Sequence, residues 1–166
     1  GGHLAAYAST FYYDAATSPE FAVLFYPVIN LRSEFGHVET GTNLIGNPPQ
    51  AAAGADEEAQ RAADRSLREY NRKLDRYCLE NDVTYDTPPT FIVLGADDSI
   101  VDPDNAIVYF KALHKSNVPT EMHVFRSGQH GFSFVSRRYA PSDLLGDSRT
   151  ALETALDRWL RSLQQK

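Results

Sequence analysis

Two short apolar runs constrain this chain more than anything else in it. Residues 21–29 read FAVLFYPVI and residues 90–96 read TFIVLGA. Neither alternates apolar with polar residues, so neither fits a strand with one face in water. A near-continuous run rich in Phe, Val, Ile and Tyr fits a strand buried on both faces, as in a parallel sheet. Such a sheet needs helices on both sides and crossover connections between its strands. A third run, TEMHVFR at residues 120–126, reads as another strand.

Helical patterns fill the spaces between these runs. Residues 3–13 place Leu4, Tyr7, Ala8 and Phe11 at helical spacing, and the polar run up to Pro19 ends that helix. Residues 30–50 contain Gly36, Gly41, Gly46, Pro48 and Pro49 and read as a long loop. Residues 55–80 hold strong helix formers without Gly or Pro, with Ala59, Ala63, Leu67, Tyr70, Leu74 and Tyr77 on one stripe. Asp64–Arg68 and Glu69–Lys73 are spaced as i,i+4 ion pairs. A solvated helix packed on the domain is favoured over a lid above an active site. The Ala-rich stretch 51–55 marks the start of this insertion. A helix over 104–116 turns Ile107, Phe110, Ala112 and Leu113 inward, and Asn117 and Pro119 stop it. A last helix spans most of 142–165, with Leu152, Leu156, Trp159, Leu160 and Leu163 on one stripe. The expected class is α/β: three parallel strands at about 21–26, 90–95 and 120–126, flanked by helices, with a helical insertion at about 50–80.

Charge and composition narrow the function classes. The net charge of −6 argues against general affinity for nucleic acid or anionic membrane. No segment approaches the roughly 18 consecutive apolar residues that span a bilayer. Cys78 is the single cysteine, which excludes an internal disulfide. The chain opens on Gly1-Gly2-His3-Leu4 without an initiator Met, which suggests upstream sequence.

In an open parallel sheet, reactive groups gather beyond the carboxyl ends of the strands. The strand 90–96 runs into Asp97-Asp98-Ser99-Ile100-Val101, and the strand 120–126 runs into Ser127-Gly128-Gln129-His130-Gly131-Phe132. A carboxylate at one strand end and a histidine at the next are half of an acyl-transfer machine. The histidine takes a proton from a nucleophile, and the carboxylate holds its tautomer. The order strand–Asp–helix–strand–His–helix follows the Ser…Asp…His chain order of α/β-hydrolases.

Several stretches then resemble one branch of that superfamily directly. Gly1-Gly2-His3-Leu4-Ala5-Ala6 looks like the segment after the nucleophile in G-x-S-A-G-G-H-L-A, the elbow of acetylxylan and feruloyl esterase-like hydrolases. PPTFIVLGADDSIVDPDNA resembles the family's PPTFLVHADDDxVVPVENS, and EMHVFRSGQHGF resembles ELHIYEKGGHGF. Tyr26-Pro27-Val28-Ile29 and Asn43-Leu44-Ile45-Gly46 match as well. The likeness covers nearly the whole chain apart from the insertion. It departs at Asp102, where the family has Pro, at Ala106, where Ser is common, and at Gln129, where the family has Gly.

The resemblance implies the C-terminal half of an α/β-hydrolase fold, residues 1–166 forming a single partial domain. Gly1 would be the last glycine of G-x-S-x-G, with the nucleophilic serine two residues before it. Both usual oxyanion donors would lie upstream too. Asp98 falls in the G-x-x-D-x-x-V register from Gly95 to Val101 and is implied as the triad acid. His130 is implied as the general base. Asp97 would point elsewhere and bond the loop. His3 would pack or bond locally, His114 and His123 lie on a helix and in a strand, and His37 sits in the loop resembling the family's substrate side. Ser9, Ser99, Ser127 and Ser133 stand on no G-x-S-x-G turn.

The function implied is a serine esterase acting on short acyl esters, acetyl or feruloyl groups on plant polysaccharide, with no cofactor and no metal. A polysaccharide esterase would be secreted or periplasmic. Arylformamidase and prolyl-oligopeptidase-like peptidase use the same residues. A truncated, non-catalytic interaction module is the alternative from another class. By itself the chain is expected to lack activity. The strand at 21–26, without its upstream neighbour, is expected to associate through its open edge.

Overall fold

The computed structural model describes residues 1–11, 14, 16–32, 36–132, 146 and 148–164. Three strands, β1 (Ala22–Phe25), β2 (Thr90–Gly95) and β3 (Thr120–Phe125), form one parallel sheet in the order β1-β2-β3. The register pairs Ala22 with Thr90 and Thr90 with Thr120. All six residues of β2 are buried, as its apolar run requires of a central strand.

Side chains alternate across the sheet, so each face has its own core. Ala22, Leu24, Ile92 and Leu94 face α1 (Gly2–Thr10) and α4 (Asp104–Lys115). Phe91 and Val93, with the half-buried Val23 and Phe25, face α5 (Ser148–Leu163) through Leu152, Ala155 and Trp159. Phe91, Ile92 and Val93 are fully buried, each worth about 1.5–3 kcal/mol relative to exposure.

In α1 and α4 the buried stripes are shifted from those the apolar residues indicate. In α1 the buried residues are His3, Ala6 and Ser9, whereas Leu4 is 72% exposed. Polar groups can take the inner face because they find partners locally. Ser9 donates to the Ala5 carbonyl, and Thr10 bonds the Ala6 carbonyl and the Tyr109 hydroxyl. The predicted helix was longer; Tyr12 and Tyr13 lie outside the described residues. In α4 the buried stripe is Asn105, Ala106, Tyr109 and Leu113, so Ile107, Phe110 and Ala112 sit half-buried on its flanks. On α5 the expected stripe holds at Leu152 and Trp159, with Leu156, Leu160 and Leu163 packed at its margin. Ser142 and Gln165, the expected limits of that helix, lie outside the described residues.

The segment 30–50, expected as a loop, contains helix α2 (Val38–Ile45). His37 caps it: its Nδ1 accepts the Thr40 N–H at 3.3 Å. Gly46 ends it with a φ of +85°, the left-handed turn that glycine tolerates. The insertion forms helix α3 (Glu57–Arg76), followed by a 3-10 turn at Leu79–Asn81. Asp56 caps α3 by accepting the Ala59 N–H at 2.9 Å, and Glu57 and Glu58 follow in its first turn. Glu69 and Lys73 pair at 3.2 Å, but Asp64 accepts from Gln60 rather than from Arg68. Leu74 is the one buried residue of α3, so most of the helix is solvated. Its last turn packs with Val28, Leu31 and Val101, beyond the carboxyl ends of β1 and β2.

Candidate active site

The sheet brings two loops together at its carboxyl edge. After β2 the chain turns through Ala96 and Asp97 into Asp98; after β3 it passes through Ser127 and Gly128 to His130. Ladder pairing continues one step past the strands, with the Ala96 N–H on the Phe125 carbonyl at 2.7 Å. Neighbouring parallel strands therefore deliver their following residues to the same place, 32 positions apart in sequence.

Asp98 and His130 meet there. His130 donates its Nδ1–H to Asp98 Oδ2 at 2.8 Å. The other carboxylate oxygen, Oδ1, accepts the Ile100 and Val101 N–H groups, each at 3.0 Å. Three donors on two oxygens fix the carboxylate's rotamer. The Asp98 side chain is 1% exposed while the His130 ring is 28% exposed. With Nδ1–H turned to the carboxylate, the neutral ring would carry its lone pair on Nε2, the tautomer a general base needs.

Other groups hold the ring in place. The Tyr26 ring lies 4.5 Å from that of His130, and the Phe132 ring meets Tyr26 edge-on at 5.1 Å. Tyr26 occupies a φ of +37°, at the end of β1, a strained position for a bulky residue. Its N–H on the Val93 carbonyl at 2.7 Å anchors it. Tyr26 stood in a motif of the sequence but carried no role there; no sequence pattern reports that its ring would reach His130.

Asn105 was missed altogether, because a polar residue in a helical pattern reads as solvent-facing. It is fully buried. Its Oδ1 accepts the Ile29 and Asn30 N–H groups at 2.9 and 3.0 Å, tying the segment after β1 to the start of α4.

The remaining histidines lie apart from the Asp98–His130 pair. His3 donates Nδ1–H to the Val28 carbonyl at 3.1 Å, and its Nε2 is buried without a partner among the described residues. Burial pushes its pKa below 6.5, against a smaller upward pull from the Val28 carbonyl. His123 meets Glu121 at 2.8 Å and stacks on Phe91. His114 lies in the exposed last turn of α4. His37 lines a cleft with Arg32, Tyr70 and Asn71. Among the described residues no three His, Cys, Asp or Glu side chains cluster closely enough to hold a metal ion. No serine hydroxyl among them bonds the His130 ring, and Ser133 lies outside them.

Comparison with known proteins bears on the fold. Residues 1–134 match the family model described as alpha/beta hydrolase fold. An acetylxylan esterase of Xylanibacter ruminicola is 28% identical over 165 residues, 98% of this chain and 29% of that protein. The crystal structure of an acetyl ester-xyloside bifunctional hydrolase from Caldicellulosiruptor lactoaceticus superposes with a TM-score of 0.65 at 28% identity, over 98% of this chain and 53% of that one. A sugar hydrolase from Lactococcus lactis gives a TM-score of 0.65 at 29% identity, over 98% and 56%. The chain thus spans about half the length of these solved structures and less than a third of the acetylxylan esterase. With a parallel sheet covered on both faces and a family match over residues 1–134, the chain belongs to the alpha/beta hydrolase fold family.

Proposed function

We propose that this protein belongs to a carboxylic ester hydrolase that removes short acyl groups, acetyl or feruloyl, from plant polysaccharide. The observation that carries the reading is the 2.8 Å bond between a buried Asp98 and a half-exposed His130 at adjacent strand ends. The relatives supply the substrate class: one is an acetylxylan esterase and another an acetyl ester-xyloside bifunctional hydrolase.

In this reading a serine outside the 166 residues is the nucleophile. His130 Nε2 takes the serine proton as the hydroxyl oxygen bonds to the ester carbonyl carbon. The imidazolium then gives that proton to the departing sugar oxygen, leaving an acyl-enzyme. Water then attacks the acyl carbon as His130 takes its proton, and the imidazolium returns that proton to the serine oxygen, so the acid leaves and the serine is regenerated. Asp98 keeps Nδ1–H in place and stabilises the transient imidazolium. Tyr26 limits rotation of the ring.

The test is a longer form that includes the upstream residues, assayed on p-nitrophenyl acetate and on acetylated and feruloylated xylan. H130A should abolish turnover, and D98N should lower kcat about 10⁴-fold. A longer form with no esterase activity refutes the reading. Release of an amine from a formanilide or a peptide instead would move it to an arylformamidase or a peptidase. Turnover by the present chain that disappears in H130A would place the nucleophile within it.

A further inference from the structure

The loop carrying His130 is held by a carboxylate that does not touch the imidazole. Asp97 Oδ1 accepts two backbone N–H groups from that loop, Gly128 at 2.9 Å and Gln129 at 2.8 Å. Charge-assisted bonds of this kind are roughly twice as strong as neutral ones. Asp97 stands beside Asp98 on the same turn. One carboxylate therefore holds the backbone leading to His130 while its neighbour holds the ring.

Two further features depend on that clamp. Gln129, immediately before His130, has a φ of +50°. That left-handed conformation costs a residue with a Cβ, and nothing within Gln129 favours it. Donating its N–H to Asp97 is the interaction that opposes relaxation, and relaxation of Gln129 would swing the residue that follows. Gly95 supplies the space. A Cβ at residue 95 would lie 3.0 Å from Asp97 Oδ1, 3.1 Å from the Gln129 nitrogen and 3.3 Å from the Gln129 oxygen. The missing side chain is where the Asp97 carboxylate and the His130 loop come together.

We propose that Asp97 is a positioning residue: by fixing Gly128 and Gln129 it keeps the His130 imidazole within reach of Asp98. The proposal rests on the reading of Asp98 and His130 as the acid–base pair, and it adds a residue that touches neither substrate nor the reacting atoms. Its effect reaches the reaction through the Nδ1–H bond alone.

The experiment is proton NMR on the 166-residue chain, following the downfield Nδ1 proton of His130 and amide exchange at Gly128 and Gln129. D98N identifies the resonance by removing it. D97A should broaden or abolish it in protein that keeps the parent circular dichroism, and should speed exchange of the two amides about tenfold. D97N keeps an oxygen acceptor but not its charge, so it should retain the resonance while exchange at Gly128 and Gln129 quickens. Q129G, which removes the left-handed penalty, should restore part of it in the D97A background. A His130 resonance unaltered in D97A overturns the proposal. If D97A does not fold, D97N decides through exchange: faster Gly128 and Gln129 amides with unchanged β2 amides support the clamp, and unchanged Gly128 and Gln129 amides overturn it. Hydrolysis is not the readout. An inactive longer form would count against the proposed function and leave the clamp standing, whereas indifference of His130 to D97A would do the reverse.

Discussion

Replacing Asn105 with alanine should be among the most damaging single changes in this chain, although the residue lies outside the Asp98–His130 pair. The side chain is fully buried, and its Oδ1 is the acceptor for both the Ile29 and Asn30 amides. Ile29 is fully buried and Asn30 nearly so. Alanine strands both donors where water reaches poorly, and each orphaned donor costs about 1–3 kcal/mol. A water entering the vacated space would recover part of that, so the expected loss is about 2–4 kcal/mol. Domains of this kind have about 5–15 kcal/mol in total. The assay is urea unfolding followed by fluorescence of Trp159, the single tryptophan, which is buried against β2. With a slope of about 2 kcal/mol per molar urea, the midpoint should fall by roughly 1–2 M. Hydrogen exchange should show the Ile29 and Asn30 amides losing protection first. A loss below about 1 kcal/mol, with both amides still protected, would refute the reasoning.

Other expectations are briefer. Gly95→Ala forces a Cβ to within 3.3 Å of three atoms, two of them Gln129 backbone. It should cost about 1–3 kcal/mol in thermal unfolding; a melting temperature equal to the parent's would show that the loop yields without strain. His3 has its pKa lowered by burial, so it stays neutral when folded and takes a proton near pH 6.5 when unfolded. The unfolded state then binds more protons below pH 6.5, so the contribution of His3 is intact above that pH and is lost as pH falls toward the lowered folded value. His3→Gln should flatten that part of the stability–pH curve, and identical slopes for both proteins would contradict it. The outer strand β1 lies at one edge of the sheet, and pairing through such an edge should yield species larger than one chain in light scattering. A monodisperse monomer would rule that out.

The elements were legible in the sequence where one physical demand dominated. The unbroken run at residues 90–95 fits a strand covered on both sides, and β2 is that strand. Elsewhere two demands competed. Gly41 and Gly46 made residues 30–50 look like a loop, yet His37 caps α2 and Gly46 merely ends it. In α1 and α4 the apolar residues pointed to stripes that the fold buries only in part: Leu113 is fully buried, Tyr7, Phe11 and Phe110 lie at the core margin, and Leu4 is exposed. His3, Ser9 and Asn105 take the inner positions because each finds hydrogen-bond partners there. Periodicity counts apolar residues and cannot see such partners.

Motif order in the sequence singled out Asp98 and His130, since each follows a strand and the strands run parallel. What the sequence determined by itself was therefore the class of sheet and the two strand ends from which Asp98 and His130 follow. Only the tertiary structure decided how the two loops lock together. The β2–β3 register sets the 2.8 Å bond. Gly95 leaves room for Asp97 to reach Gly128 and Gln129, and β1 ends in a strained Tyr26 that lays its ring on His130. These contacts join residues far apart along the chain, and their geometry is set by packing across the sheet rather than by any local preference.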